Sequence, residues 1–544
     1  MSALWPQRLC SPSTAQHRRP TGIAGLSAGL LVLLAAACGD GSLPVSELGR
    51  FEPVKCWFPV PETAREVQCG RLTVPLRHGE APTGERLAER QWLRLAVVRS
   101  LPAVPTDKAP VVFLHGGPGG SITDAAGRII ERAPDLFGTD REAIFFDQRG
   151  AGRSRPDLRC GLTDDVAQCR DRLDSWDLSA FNSTENAADV DALRRALGQA
   201  QLVLVGSSYG TSLAQHVLRD FPGTVESVVL DAVAPLDLSF IAESPRSESE
   251  AIDAFFAACA ADAECGSRFA GLSERFTEAH TGLVREPLEV RAQLDSGRTA
   301  RFLLDAGTFE TMVLNTQLFA GNLAPVPRTI AAVARRLSEA GDEAFVGAAM
   351  LETFQRLLRR ITSVASGAYW SIACADQPQV DPAALATDGL RPELVGGSRS
   401  SLAGFVEQCD IWDVPPQPLA ERQPVRSDVP TLLFCGAFDP ITPPRFCERV
   451  AVSLSRAQTV ILPNSAHGAL LSGECSDALF RNFIAAPTAP LDISCVQGPD
   501  FAFPSTDLQT LTAQAKDRAR KAADLRALLP TAPPLRQLEP RPPQ

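Results

Sequence analysis

The run Gly206-Ser207-Ser208-Tyr209-Gly210 lies between Gln201-Leu202-Val203-Leu204-Val205 and Thr211-Ser212-Leu213-Ala214-Gln215-His216-Val217-Leu218-Arg219. The first flank is apolar and β-branched and reads as a buried strand, while the second reads as a helix. Strand, G-x-S-x-G and helix, in that order, form the context a nucleophile elbow requires. The turn is too tight for side chains on both sides of the serine, so glycine stands at each flank. Ser208 is then lifted out at the end of the strand, where a base can reach its hydroxyl. The N–H of Tyr209, at the helix N-terminus, faces the same way and can hold an oxyanion. The five residues alone equally describe a Gly/Ser turn closing a strand–helix unit. The elements on either side favour the nucleophile.

Upstream, Gly70–Leu76 and Gln91–Val98 alternate as strands around a polar loop, which predicts an antiparallel hairpin. Ala109–His115 reads as a short buried strand running into Gly116-Gly117-Pro118-Gly119-Gly120, where glycines mark a close backbone approach. A phosphate-binding loop is the rival reading, but no G-K-[S/T] follows. Glu142–Asp147 is a further strand, closed by Gln148-Arg149-Gly150-Ala151-Gly152-Arg153-Ser154. A helix from Thr184 to Leu197 stops at Gly198, and Val225–Asp231 is the strand after the elbow helix. Strands alternating with helices predict an α/β fold, with a mostly parallel sheet covered on both faces. The alternation stops after Pro235. Residues 247–262, 266–284, 324–340 and 343–364 carry apolar residues at helical spacing, so 240–425 reads as an inserted helical cap. Strand–helix alternation returns at Thr431–Gly436 and Gln458–Leu462.

A serine nucleophile needs a base and an orienting acid. Only six histidines are available. His17 falls in the N-terminal segment, His78 in a polar loop, His216 on the elbow helix and His280 on a cap helix. His115 precedes the glycine run and reads as a brace for it. His467, in Pro463-Asn464-Ser465-Ala466-His467-Gly468, follows a strand at the loop end where a parallel sheet gathers its site. Asp439, in Gly436-Ala437-Phe438-Asp439-Pro440-Ile441-Thr442-Pro443, sits one strand earlier. Its structural alternative is to cap a turn. The chain order Ser208, Asp439, His467 is that of α/β-hydrolases. The oxyanion hole would combine the N–H groups of Tyr209 and Gly117. Acids at the start of the cap, Glu243, Glu248, Glu250 and Asp253, read mainly as a solvated face.

The chain has 544 residues, 44% of them hydrophobic, and a net charge of −11, which gives nucleic-acid binding no electrostatic support. Arg18 and Arg19 precede the apolar run Gly25–Ala37, shorter than the roughly 20 residues a span needs. Residues 1–37 therefore read as a signal segment. Small residues directly before Cys38 resemble a bacterial lipoprotein signal, which implies lipidation of Cys38, with residues 38–55 as a tether. Plain signal cleavage nearby is the alternative. Fourteen cysteines, less Cys10 and Cys38, leave an even twelve. Neighbours pair naturally in an oxidising compartment: Cys56 with Cys69, Cys160 with Cys169, Cys259 with Cys265, Cys374 with Cys409, Cys435 with Cys447, Cys475 with Cys495. Spacing alone leaves connectivity open. No C-x-x-C occurs and histidine is scarce, so no metal and no cofactor are expected.

Together, His115-Gly-Gly-Pro-Gly-Gly120, Asp147-Gln-Arg-Gly-Ala-Gly-Arg-Ser154, the elbow, Gly436–Pro443 and Asn464–Gly468 resemble the prolyl and tripeptidyl aminopeptidases of the α/β-hydrolase superfamily. Ser371-Ile-Ala-Cys374-Ala-Asp376, with Cys409 and Trp412, is similar to the cap-to-core segment of the secreted bacterial tripeptidyl-aminopeptidase-like group. The resemblance spans roughly 55–500. The strand–helix alternation gives core segments at 56–239 and 426–500, the resemblance makes the latter carry a TAP-like C-terminal region, and 501–544, outside the resemblance, reads as a peripheral or disordered tail containing a charged helix, Ala513 to Leu528. The resemblance further implies acyl-enzyme release of residues or short peptides from free N-termini, with Asp376 as a candidate for the substrate. An esterase or other amidase with the same triad, and a non-catalytic ligand-binding lipoprotein, are the competing classes. The only expected partner is the peptide, the membrane being met through a lipid anchor alone. Location is expected to be exported: anchored, periplasmic or extracellular.

Overall fold

The computed structural model describes residues 42–497, apart from 63–64, 81–83, 133–135, 137–139, 295, 378–379 and 471. The signal segment, Cys38 and the tail helix lie outside the described residues. Nine of the strands form one sheet: β1 (Phe51–Val54), β2 (Val67–Pro75), β3 (Trp92–Ser100), β4 (Val111–Leu114), β5 (Ala143–Phe146), β6 (Leu202–Ser207), β7 (Val225–Asp231) and, after a separate hairpin of β8 (Leu288–Gln293) and β9 (Thr299–Leu304), β10 (Thr431–Gly436) and β11 (Ala457–Leu462). Their order is β11-β10-β7-β6-β4-β5-β3-β2-β1. Strands from β11 to β5 run parallel, and β3, β2 and β1 are antiparallel. The expected hairpin is β2–β3, with Val67 opposite Ser100.

Alternation along each strand divides the sheet's side chains between two cores. Val112, Leu114, Ile144, Phe146 and Leu204 pack against α2 (Ser183–Ala196) and α3 (Tyr209–Asp220) through Leu193, Leu213 and Val217. Val111, Phe113, Phe145, Val203 and Val205 pack on the other face against α1 (Thr123–Arg132) and a C-terminal helix, Glu474–Ala485, through Ile130 and Phe483. Both faces of the parallel strands are therefore dry, which explains their unbroken apolar runs.

The insertion contains α4 (Phe240–Ala261), α5 (Leu272–Arg285), α6 (Val326–Ala334) and α7 (Asp342–Ser363). Three features depart from a purely helical reading. The predicted helix over 266–284 is broken: a short helix, Ala263–Arg268, is capped by Asp262, and α5 restarts after Gly271 at φ +68°. The β8–β9 hairpin was hidden because its alternation is short and mostly polar. A π-helix, Thr311–Leu318, lies before α6. The cap's own core, with Ile252, Phe255, Phe276, Met312 and Phe345, takes in Phe438 and Ala466 from the two loops after β10 and β11. The chain then returns to the sheet through α8 (Ser366–Asp376) and α9 (Pro392–Trp412), where the Trp412 indole N–H donates to Ser371 Oγ at 3.1 Å.

Among the described residues, six disulfides join Cys56–Cys69, Cys160–Cys169, Cys259–Cys265, Cys374–Cys409, Cys435–Cys447 and Cys475–Cys495. Bridges in that number belong to an oxidising compartment. Among the described residues, no helix is long and apolar enough to cross a membrane.

The Asp147–Ser154 run folds the chain back beneath the glycine loop. Asp147 accepts from the N–H groups of Ile122, Thr123 and Arg153 and from two hydroxyls. Arg149 is fully buried. It donates to both oxygens of Asp189 at 2.8 Å and to the carbonyls of Leu76 and Ala180. Removing one member of such a pair leaves the other charge uncompensated. Arg149→Leu should therefore lower unfolding stability by about 3–5 kcal/mol, read by denaturant titration. A loss within error of zero would mean Asp189 is satisfied by His78 alone.

Candidate active site

Ser208 sits at φ 55°, ψ −124°, a conformation a non-glycine residue holds only when its surroundings enforce it. Its N–H donates to Asp231 O at 2.9 Å, and its carbonyl accepts from Thr211 N–H at 2.8 Å. The neighbouring chain leaves no slack. A Cβ on Gly210 would lie 1.9 Å from Leu114 O, and one on Gly116 would lie 2.8 Å from the Ser208 Cβ. The loop after β4 is thereby pressed against the elbow. The N–H groups of Gly117 and Tyr209 donate to no other group among the described residues.

Asp439 is fully buried at the turn after β10. Its Oδ1 accepts from the N–H groups of Ile441 and Thr442 at 2.8 and 2.9 Å, and its Oδ2 from the Thr442 hydroxyl at 2.6 Å. That carboxylate meets His467 Nδ1 at 2.9 Å, so Nδ1 carries the proton and Nε2 is left free for another partner. Burial alone would push Asp439 up, but the His467 charge and these hydrogen bonds outweigh it and hold it low. For His467, burial pulls the pKa down; Asp439 outweighs it through charge and hydrogen bond, Asp231 adds, and Arg360 opposes. The net shift is upward from 6.5.

Ser208, Tyr209, Gly117, His467 and Asp376 all line one cavity of about 1430 Å³. This exceeds the range of roughly 300–1,000 Å³ usual for small-molecule sites. Asp376 lies on its wall, yet its Oδ2 accepts from Ser183 N–H at 3.1 Å, at the first turn of α2, and its Oδ1 is buried without a partner among the described residues. Burial pushes this carboxyl up. Ser183 Oγ in turn meets the Tyr209 hydroxyl at 2.7 Å, so Asp376 supports the elbow from behind.

Several residues of the site escaped the sequence. Thr442 stands in the quoted Asp439 run, but nothing there marked its hydroxyl as a partner. Asp231, read only as a strand end, is pushed up to about 6 by burial and accepts from the N–H groups of Ala469 and Leu470, which clamps the loop carrying His467. Phe319 stacks on His467 with centroids 4.5 Å apart, and no local pattern pointed to it. Glu248 was counted with the solvated acids. Three of those acids do meet arginine: Glu243 and Glu250 pair with Arg445, and Asp253 with Arg391. Glu248 instead lines the cavity, accepts one hydrogen bond from Ser244 at 3.2 Å, and is pushed up to about 7, first by burial and further by Glu310.

The other described histidines are committed elsewhere: His78 to Asp189, His115 to its own loop at Gly116 O, and His280 to Glu310. His216, Asp220 and Glu421 converge closely enough to ligate an ion, but the Arg219 guanidinium already lies among them and donates to all three.

A family model described as alpha/beta hydrolase fold matches residues 109–257, and one described as TAP-like protein matches residues 397–495. The serine protease Hip1 of Mycobacterium tuberculosis is 26% identical over 521 residues, covering 86% of this chain and 95% of its own. A proline iminopeptidase of Xylella fastidiosa is 36% identical over 124 residues, 23% of this chain and 32% of its own. Among solved structures, the proline iminopeptidase of Mycobacterium smegmatis covers 77% of this chain and 98% of its own at 15% identity and a TM-score of 0.36. The sheet order and the two family models carry the fold, not that superposition. With Ser208 at the elbow of such a sheet and His467 turned into the same cavity by Asp439, the chain is a serine hydrolase of the α/β-hydrolase superfamily with a TAP-like C-terminal region.

Proposed function

We propose that this hydrolase is an exported peptidase that releases residues or short peptides from free N-termini through an acyl-enzyme. His467 Nε2 takes the proton of Ser208 Oγ as that oxygen attacks the scissile carbonyl. The tetrahedral oxyanion sits against the N–H groups of Gly117 and Tyr209. The imidazolium then protonates the leaving amine, the C–N bond breaks, and water, deprotonated by the same base, hydrolyses the ester. Asp439 fixes the tautomer throughout. Export by the 1–37 segment and lipidation at Cys38 belong to this reading and fall outside the described residues.

The observation that carries the peptidase reading is Glu248. It is an enclosed carboxylate on the wall of the Ser208 cavity, and no Lys, Arg or His contributes to its electrostatics. Burial makes its charged form costly, which is why its pKa rises toward neutrality, and a cation brought by the substrate would restore that charge. The free ammonium of a peptide supplies one. The two relatives named protease and iminopeptidase support the same class.

Three outcomes follow. Ser208→Ala and His467→Ala should each reduce kcat by about 10⁴-fold or more while the protein stays folded, measured on a peptidyl chromogenic substrate with circular dichroism alongside; wild-type turnover in Ser208→Ala would end the elbow assignment. Activity needs neutral His467, and its pKa lies above 6.5, so the acidic limb of kcat/KM should lie above that value. In Asp439→Asn, whose residual rate is still measurable, the lifting charge is gone and the limb should move to lower pH. N-acetylating a good substrate should cut kcat/KM by as much as ~10⁴, and Glu248→Gln should lose most of that discrimination. Equal rates on free and acetylated peptides would favour the esterase or amidase class instead.

A further inference from the structure

The cap reaches the catalytic base directly. Phe319 follows the π-helix Thr311–Leu318, and its N–H donates to Leu314 O at 2.8 Å, five residues back, so the wide register runs through it. Each residue of α-helix turns the chain by about 100°, so an α register here would point this side chain elsewhere. π-helical turns are rare and gather at functional sites. The Phe319 ring instead lies over the face of His467, with an interplanar angle of 21° and a centroid distance of 4.5 Å.

The surroundings of His467 are otherwise assigned. Its Nδ1 edge meets Asp439 and the Thr442 hydroxyl, Asp231 lies behind its loop, and Arg360 on α7 contributes the nearby positive charge. The ring face is left to Phe319. An aromatic face carries negative charge density and attracts a cation within about 6 Å of its centroid. Above the acidic limb, His467 becomes a cation only when it takes the proton of Ser208. The attraction is thus stronger in the transition state than in the resting enzyme, which is the condition for raising kcat rather than lowering KM.

We propose that Phe319 is a positioning residue of the cap that holds the His467 ring and stabilises its imidazolium as Ser208 attacks. The proposal rests on the Ser208–His467 roles given above. It is tested with an alkyl fluorophosphonate, whose reaction with the serine needs the base but no peptide recognition, by following the second-order inactivation rate against pH. Phe319→Leu keeps the apolar cover and removes the aromatic face. It should slow inactivation about five- to tenfold, shift the acidic limb to lower pH, and lower kcat on peptide with KM within twofold. Phe319→Tyr should restore all three. Wild-type rate and limb in Phe319→Leu, or a Phe319→Tyr variant as impaired as Phe319→Leu, would overturn the proposal. Should Phe319→Leu fold poorly, active-site titration with the same reagent normalises the rate to intact sites. A wild-type protein that is never labelled at Ser208 would remove the triad roles themselves, a result distinct from labelling that ignores residue 319.

Discussion

Everything in the site depends on the backbone of Ser208 being held at a positive φ between β6 and α3. That conformation persists because the space around it is filled by backbone, with the carbonyl of Leu114 where a side chain at residue 210 would be. The same closeness brings the glycine loop after β4 alongside the hydroxyl. The sheet order then does the rest. β4 and β7 flank β6, and β10 and β11 follow in parallel, so Asp231 at the end of β7 and the loops bearing Gly117, Asp439 and His467 all lie at one edge of the sheet. A parallel sheet gathers its site at the carboxyl ends of its strands, here from residues as far apart in sequence as 117 and 467.

The cap is part of this arrangement rather than an addition to it. Phe438 and Ala466, each next to a triad residue, are buried in the cap's own core, and Phe255 of α4 meets Phe438 edge-on with centroids 5.7 Å apart. The acid's loop is also bracketed by the Cys435–Cys447 bridge. Burial in this shared core has two consequences for Asp439 and His467. It excludes the water that would screen them, which strengthens their mutual attraction, and it makes either charge costly without the other. That is why the two pKa values move in opposite directions, Asp439 down and His467 up.

What could be read from the sequence was what local chemistry dictates. The elbow needs glycine on both sides of its serine, parallel strands need apolar runs, and a scarce histidine narrows the choice of base. These carry the signal in a few adjacent residues. The β8–β9 hairpin was not legible in the same way because its alternation is short and mostly polar, and the π-helix because its register depends on packing across the cap rather than on local periodicity. Phe319 is the clearest case: its neighbours fix the helical register, but only the fold brings it to residue 467. Asp376 shows the converse. Its sequence neighbourhood drew attention to it, and its carboxylate is turned toward the start of α2, behind the elbow.

The four acids at the start of the cap show how burial separates residues that composition treats alike. Glu243, Glu250 and Asp253 are each within reach of an arginine, so their charge is balanced inside the protein and costs little. Glu248, on the same helix, lines the cavity and meets no arginine among the described residues, and burial together with Glu310 pushes its pKa up. At 3.6 residues per turn, 248 lies about 140–160° around the helix from 243, 250 and 253, so the periodicity itself puts it on the opposite face, the one turned to the cavity. A charge left unbalanced on a cavity wall is a requirement placed on whatever enters. The same insertion also lays the Phe319 ring on His467, so the cap contributes both an acid and an aromatic face to the cavity.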